Sequence, residues 1–208
     1  MAKREKVSPG WRLALHARLN YNDLLEATMH NLRIVALSGE VEECGAALLT
    51  NQFQTLAEGE GDITLLITSY GGAVDAGAAI IRAIRYAQDK GCRVVGEVRG
   101  YAMSMAAIVL QACDVRYAAP EDIVMVHGFS GSAIGDVRNQ EADLKLTQKL
   151  TEIYSRFFAE RSTADDTKYH DEAFWKRLLE DSLPHYYFGR EALEIGLIDD
   201  VEGVSDRG

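Results

Sequence analysis

The sequence has no cluster of basic residues, and acidic residues outnumber basic ones. Its 208 residues include 22 lysines and arginines against 32 aspartates and glutamates, which gives a formal net charge of -10 at pH 7. Binding to a phosphate backbone needs clusters of lysine and arginine, so this composition argues against a nucleic-acid partner. The acidity by itself indicates solubility and no particular function.

Long apolar runs and a secretory leader are also missing. No stretch approaches the ~20 uninterrupted apolar residues that a membrane span needs. The charged start, Met1 to Val7, is not followed by an apolar core of signal-peptide length. The three cysteines (Cys44, Cys92 and Cys113) form no CxxC pair, which favours free thiols in a reducing compartment over a zinc site. We therefore expect a cytoplasmic protein without a metal centre.

Segments with strand and helix patterns alternate along the chain. Short apolar runs predict strands at 32–37, 63–67, 93–98 and 123–126. Helical spacing predicts helices over 42–57, 73–89, 104–111, 136–161, 171–179 and 190–195. This alternation indicates an α/β fold with a mostly parallel sheet. The first half of the 136–161 helix is strongly polar, which is typical of a helix that projects from the body or meets a partner.

Two segments carry residue types suited to nucleophilic catalysis. Gly100–Ala107 places Ser104 where a strand gives way to a helix, and Val124–Gly128 places His127 at the end of a strand. A nucleophilic serine needs such a turn, a nearby base and hydrogen-bond donors for the oxyanion. Taken alone, Ser104 is more often a helix N-cap, and His127 is more often a structural histidine. Their pairing favours the catalytic interpretation.

A glycine turn at Gly71 and Gly72 offers part of an oxyanion site. The Met105 amide, at a helix amino terminus, would be one donor, and the Gly72 amide in the facing turn would be the second. Paired glycines also commonly mark a tight strand-to-helix turn. A phosphate loop is disfavoured because the sequence contains neither GxxxxGK[ST] nor GxGxxG. The combination predicts a serine hydrolase, with a peptidase favoured.

The order and spacing of these segments over residues 24–202 resemble the proteolytic subunit of the Clp protease family, the ClpP-like peptidases. The segments that carry the resemblance are Arg33–Val41, Ile63–Gly72, Gly100–Ala107, Val124–His127 and Glu191–Asp199. The resemblance implies a ClpP/crotonase-like β-β-α spiral core with a projecting handle helix at about 136–161. It divides the chain into a divergent amino-terminal segment (1–30), a peptidase domain (31–203) and a tail (204–208).

The resemblance also implies roles for individual residues. Ser104 becomes the nucleophile, His127 the general base, and the amides of Gly72 and Met105 the oxyanion hole. An extended peptide would pair with the backbone by strand addition. The residues expected to bind it are Gly71, Gly128, Phe129 and Ser130.

The chain departs from the family pattern in its first 20 residues and at several later positions, among them Gly128-Phe129 in place of the family's glutamine-proline after the histidine. The family's turn proline is Tyr70 here, and the position of its catalytic aspartate is Pro184, which has no carboxylate. Asp181, or less readily Glu180, could serve as the third triad member if the segment shifts by ~5 Å, about one helical turn. A Ser–His dyad and an impaired enzyme are the alternatives, since loss of the orienting group can lower turnover by ~10⁴.

By resemblance, the protein is expected to be a serine endopeptidase that degrades unfolded or small polypeptides without a cofactor. It would act as a homo-oligomer of two stacked heptameric rings, a tetradecamer, supplied by an AAA+ unfoldase. Three alternatives stay open. A non-catalytic subunit of a mixed ring is favoured by Pro184, and a phage-type head-maturation protease is compatible with the atypical first 20 residues. An acyl-CoA enzyme of the crotonase fold would have no use for a Ser–His pair.

Overall fold

The computed structural model describes residues 28–129, 137–181 and 183–201. The elements in the first half are β1 (Ile34–Val41), α1 (Glu43–Leu56), β2 (Ile63–Gly72), α2 (Val74–Asp89) and β3 (Val94–Met103). The next are α3 (Met105–Gln111), β4 (Val115–Ala118), β5 (Ile123–Val126) and α4 (Val137–Arg161). A 3₁₀ turn (Thr167–His170), α5 (Glu172–Glu180), β6 (His185–Phe188), α6 (Gly189–Glu194) and β7 (Asp200–Val201) follow. Most of the predicted amino-terminal segment, the tail and Ser130 lie outside the described residues.

A mostly parallel sheet organises the described part of the chain. Strands β1, β2, β3, β4 and β7 lie side by side in that order, and β5 and β6 branch from β3. The branch arises because β3 has two partners along its length. Its first half pairs with β4 at Val95–Glu97, and its second half pairs with β5 at Tyr101–Met103. The α/β prediction is confirmed, and the shared strand brings the end of β5 beside the end of β3.

The core lies between the apolar faces of the strands and the helices. In β2, Ile63, Leu65 and Ile67 are fully buried on one face, as period-two alternation requires. Helix α2 buries Ile80 and Ile84, four residues apart, against the same core. Within the described ranges, no helix is long and apolar enough to cross a bilayer.

Three predicted strands end too early. The strands that we expected to close at Leu37, Ile67 and Val98 continue to Val41, Gly72 and Met103 respectively. Serines and glycines there resemble turn signals, but parallel pairing resumes after register shifts at 38–40 and 67–69. These extensions are what carry Gly71 and Ser104 to the same edge of the sheet.

Strands β4 and β6 were not predicted from the sequence. In β4, the charged Arg116 interrupts a four-residue apolar pattern, yet its side chain is fully buried. Strand β6 runs antiparallel to β5, with His185 opposite Val126. Its exposed aromatic residues, Tyr186 and Phe188, alternate with half-buried ones and gave no continuous apolar run.

Arg116 joins the carboxyl-terminal segments to the sheet. Its guanidinium donates to Asp199 Oδ1 at 2.6 Å and Oδ2 at 2.9 Å. It also donates to the Gln111 side chain, to the Gly196 carbonyl at 3.2 Å and to Thr163 Oγ1 at 3.2 Å. Burial alone would raise the pKa of Asp199, but the hydrogen bond and charge of Arg116 lower it below its ordinary value of 3.8.

We predict that Asp199→Asn lowers the free energy of unfolding by about 3 kcal/mol at neutral pH, because it leaves the buried Arg116 charge uncompensated. The carboxylate has a depressed folded pKa. Its contribution is therefore present above the ordinary value and is lost as the pH falls through the folded value. Urea unfolding at neutral pH and under progressively acidic conditions should show a shallower acid decline for the variant.

The control is Asp62→Asn, since the Asp62 carboxylate is 59% exposed and lies 4.0 Å from Arg93. Exposed pairs contribute little to stability, so this variant should unfold almost as the wild-type chain does. Equal losses in the two variants would contradict a special role for the buried pair.

Candidate active site

Ser104 occupies the single residue between β3 and α3. Its backbone has φ 54° and ψ −124°, in a region that side-chain-bearing residues rarely enter. The Ser104 N–H donates to the Met125 carbonyl at 2.8 Å, and the Ser104 carbonyl accepts from Ala107 N–H at 3.0 Å. These bonds hold the turn so that the hydroxyl stands clear of both elements.

The Ser104 side chain pairs with His127 and does not cap the helix. Ser104 Oγ lies 2.8 Å from His127 Nε2, and no side-chain capping bond is present at Ser104. The N-cap interpretation is therefore wrong for this side chain. Because β3 and β5 are parallel and Met103 lies opposite Met125, residues just beyond the two strands meet at one edge. Through that pairing, a serine and a histidine 23 residues apart in sequence come into contact.

Gly71 lies directly against the serine turn. A Cβ at Gly71 would stand 2.6 Å from the Met103 carbonyl oxygen, 2.7 Å from Ser104 Cβ and 2.9 Å from the Met105 nitrogen. Its φ of +94° is also in the left-handed region that favours glycine. Only a residue without a side chain fits here, and the close approach sets the spacing between the glycine turn and Ser104.

The two expected oxyanion donors border the same space. Met105 is the first residue of α3, and the first N–H groups of a helix have no intrahelical partner. Its side chain packs onto α2 at Gly77, where a Cβ would collide with it. Gly72 and Met105 both line the cavity beside Ser104. This arrangement suits a negatively charged oxygen beside Ser104.

A cavity of about 660 Å³ opens beside Ser104 and His127. Of the expected peptide-binding residues, Gly128 and Phe129 line it, and Gly71 lies behind the serine turn. The Phe129 ring lies 5.3 Å from that of Tyr154. Burial raises the pKa of the Tyr154 hydroxyl, and Arg85 opposes this only in part, so this wall stays neutral.

Asp181 lies near the histidine segment, but its carboxylate is beside His185, whose Nε2 makes no hydrogen bond within the described ranges. Its Oδ2 is 3.2 Å from His185 Nε2, and its Oδ1 accepts from Leu183 N–H at 3.3 Å. The Asp181 carboxylate and His127 border a second cavity of about 730 Å³. In the described part of the chain, no hydrogen bond or ion pair joins a carboxylate to His127. The structure therefore brings Ser104 and His127 together and directs Asp181 elsewhere.

The position that the resemblance assigns to the family's aspartate, Pro184, can be located in the sheet. His185 lies opposite Val126 in the antiparallel β5–β6 pair, so Pro184 comes next to the His127 end of that pair. Gly128 packs against the Leu179 carbonyl at the end of α5, and a Cβ there would lie 3.4 Å from the Asp181 carbonyl oxygen. The backbone that precedes β6 is thus close to His127. The residue at the position where the resemblance places the family's aspartate is Pro184, which has no carboxylate.

Some residues of the cavity were not predicted. Asp143, Thr147, Leu150 and Tyr154 line it from one side of α4. Their spacing of four, three and four residues is that of a helix face, which is the signal that could have identified them. Asp75, three residues past Gly72, lines the same cavity. Among the described residues, no group of three or more His, Cys, Asp or Glu side chains could hold a metal ion.

Comparisons with known proteins agree with this geometry. The family model described as Clp protease matches residues 18–204. The ATP-dependent Clp protease proteolytic subunit 1 of Streptomyces avermitilis is 29% identical over 216 aligned positions, which cover 96% of this chain and 93% of that protein. The match thus extends over nearly the whole length of both chains. This chain belongs to the Clp protease family, as a divergent member.

Proposed function

We propose that this chain is a serine endopeptidase of the ClpP type, with Ser104 as nucleophile and His127 as general base. The observation that carries the proposal is the 2.8 Å contact between Ser104 Oγ and His127 Nε2 at the mouth of a substrate-sized cavity. Membership of a protease family gives the reaction class, hydrolysis of a peptide bond. The geometry supports the assignment of roles within it.

The chemistry would proceed in two stages. Ser104 Oγ attacks the peptide carbonyl while His127 Nε2 accepts its proton, and the amides of Gly72 and Met105 stabilise the oxyanion. The protonated His127 then donates to the leaving amine, which leaves an acyl group on Ser104. A water molecule, deprotonated by His127, hydrolyses this ester and restores the enzyme. No step needs a metal ion or an organic cofactor, since the proton carrier and the oxyanion donors are all groups of this chain.

The proposed catalytic unit is a dyad in the conformation described. Among the described residues, no hydrogen bond or ion pair joins Asp181 to His127, so its carboxylate is not in place to orient the ring; its Oδ2 lies 3.2 Å from His185 Nε2, without a hydrogen bond between the two. For Asp181 to act as third member, its carboxylate would have to reach across the second cavity, which both Asp181 and His127 border. A dyad without that step retains nucleophile, base and oxyanion donors, which together supply most of the catalytic groups.

The substrate would lie as an added strand beside the glycine turn. The Gly71 N–H donates to Ser69 Oγ at 3.1 Å. Of the expected strand partners, the segment that begins at Gly128 would therefore hold an extended peptide with its carbonyl over Ser104. Phe129 would contact a side chain, and Ser130, outside the described residues, stays part of the proposal. Such binding requires an unfolded segment, which accords with unfolded or small polypeptides as substrates.

A homo-oligomer of two stacked heptameric rings, with an AAA+ unfoldase as ATP-consuming partner, is part of the same proposal. The similar Streptomyces protein is named as an ATP-dependent proteolytic subunit. Helix α4 exposes Leu144, Leu146 and Ile153, each more than half accessible, as expected of a surface that meets another subunit. A cytoplasmic location accords with the three free thiols.

A second candidate is a non-catalytic subunit of a mixed ring. The observation that favours it is the combination of Pro184 at the family's aspartate position with an Asp181 carboxylate that lies beside His185 and, in the described part of the chain, makes no hydrogen bond or ion pair with His127. The retained Ser104–His127 contact favours the enzyme. Chemical labelling of the serine separates the two candidates.

We expect a fluorophosphonate probe to label Ser104 in the purified protein. Ser104→Ala should abolish labelling, and His127→Ala should slow it by about 10⁴-fold, since the base that activates the hydroxyl is removed. Peptide mass spectrometry locates the adduct. The control is His170→Ala, whose ring contacts the Ala164 carbonyl at 2.9 Å far from the serine turn in sequence. An unlabelled, well-folded oligomer would shift the conclusion to the structural subunit.

We expect Asp181→Asn to change the labelling rate of Ser104 by less than about threefold if the dyad operates. If Asp181 orients His127, the same substitution should lower the labelling rate of Ser104 by about 10⁴-fold, because His127 would take the wrong tautomer. The pH dependence of the labelling rate, measured for both proteins, provides the second readout. A large loss with an altered pH profile would establish Asp181 as the third member.

We expect Gly71→Ala to reduce peptide hydrolysis and Ser104 labelling by at least about 10²-fold, because the added methyl displaces Ser104 and the Met105 amide. Gly91→Ala is the matched control. Gly91 has φ +92° and no atom within 4 Å of a Cβ, so the substitution imposes backbone strain without a collision. Similar losses in both variants would show that strain alone, and no contact with the serine turn, is responsible.

A further inference from the structure

Two carboxylates line the cavity beside Ser104 and have no role in the mechanism above. Asp75 reaches it from the first turn of α2, and Asp143 reaches it from α4. They belong to different helices that both border the space. Any side chain that enters the cavity is therefore placed in a field of negative charge.

One carboxylate oxygen of Asp75 makes no hydrogen bond to the described residues. The other, Oδ1, accepts from the N–H of Ala76, the next residue, at 2.9 Å. No cation of the described residues forms an ion pair with it. The carboxylate is exposed and lies three residues beyond Gly72, so it stands at the rim on the side of the glycine turn.

Asp143 is half-buried and lines the cavity from α4. It shares a helix face with Thr147, Leu150 and Tyr154, which all line the same space. Within the described ranges it is in no hydrogen bond or ion pair. A half-buried carboxylate without a partner favours a cationic group more strongly than an exposed one does, because water screens it less.

The walls between the two carboxylates are apolar. Val74, Ile108 and Leu150 line the cavity, and the buried, neutral Tyr154 closes one side. A side chain with an apolar stem and a cationic tip fits both features, because the methylenes cover the apolar wall while the charge meets the carboxylates. The formal charge of -10 attracts basic segments over longer distances as well.

The structure assigns to this cavity a preference for lysine or arginine on the amino-terminal side of the scissile bond. This inference rests on the proposed function. Because Ser104 and Met105 border the cavity, the side chain on the carbon next to the attacked carbonyl falls within it. A glutamate at that position is rejected by repulsion from both carboxylates.

Peptides that differ only in the residue before an aminocoumarin reporter test the preference. Lysine, norleucine and glutamate are compared, since norleucine keeps the stem of lysine without the ammonium group. The kcat/KM of the lysine peptide should exceed that of the norleucine peptide by about tenfold, the effect of one charge-assisted contact. The glutamate peptide should be the poorest, and the lysine advantage should shrink as salt is raised.

The combined substitution Asp75→Asn with Asp143→Asn should bring the lysine-to-norleucine ratio close to one. Asp89→Asn is the control, since Asp89 ends the same helix as Asp75 and does not line the cavity, and the ratio should stay at its wild-type value. A ratio near one in the wild-type chain, or an undiminished ratio in the double variant, overturns the inference.

Binding of the same peptides to the Ser104→Ala protein separates this inference from the proposed function. Fluorescence anisotropy of labelled lysine and norleucine peptides reads the preference without chemistry. Preferential lysine binding without hydrolysis by the wild-type chain upholds the inference and overturns the endopeptidase. Hydrolysis of the norleucine peptide without a lysine advantage in binding or rate overturns the inference and upholds the endopeptidase.

Discussion

The site depends on the left-handed backbone conformation of Ser104. A serine in an ordinary conformation would either extend β3 or begin α3 a residue earlier, and its hydroxyl would then cap the helix. The bond from Ser104 N–H to the Met125 carbonyl and the close approach of Gly71 exclude both outcomes. The strain at one residue is thus offset by contacts from two neighbouring strands, and it leaves the hydroxyl free for His127.

Helix α3 is held at both of its ends, which keeps the serine turn rigid. At its start, the Met105 side chain packs against α2 at Gly77. At its end, the Gln111 carbonyl accepts from Arg161 Nε at 2.9 Å, and the Gln111 side chain accepts from Arg116. A seven-residue helix has little stability of its own, so these attachments determine its position. They link the serine turn to the carboxyl-terminal segments through the buried Arg116.

The serine–histidine pair could be predicted because it depends on where parallel strands end. Apolar runs are easy to identify, and in a parallel sheet their carboxyl ends meet at one edge, so Ser104 and His127 were natural partners. The partner of Asp181 was not predictable in this way. It depends on the antiparallel strand β6, whose exposed Tyr186 and Phe188 concealed the strand pattern, and on His185 standing four residues further on. Arg116 was missed because burial of a charge follows from tertiary partners that local sequence does not show.

The wide separation in sequence between Arg116 and its partners has a consequence for biosynthesis. Thr163, Gly196 and Asp199 follow Arg116 by 47, 80 and 83 residues, and β4 gains its outer neighbour only when β7 forms. While the ribosome is still adding these residues, the Arg116 guanidinium has no carboxylate partner, and the edge of β4 that later pairs with β7 is open. A nascent chain therefore carries its serine and histidine long before the anchor of α3 exists. The bonds that attach α3 through Arg116 are therefore complete only after translation has passed Asp199.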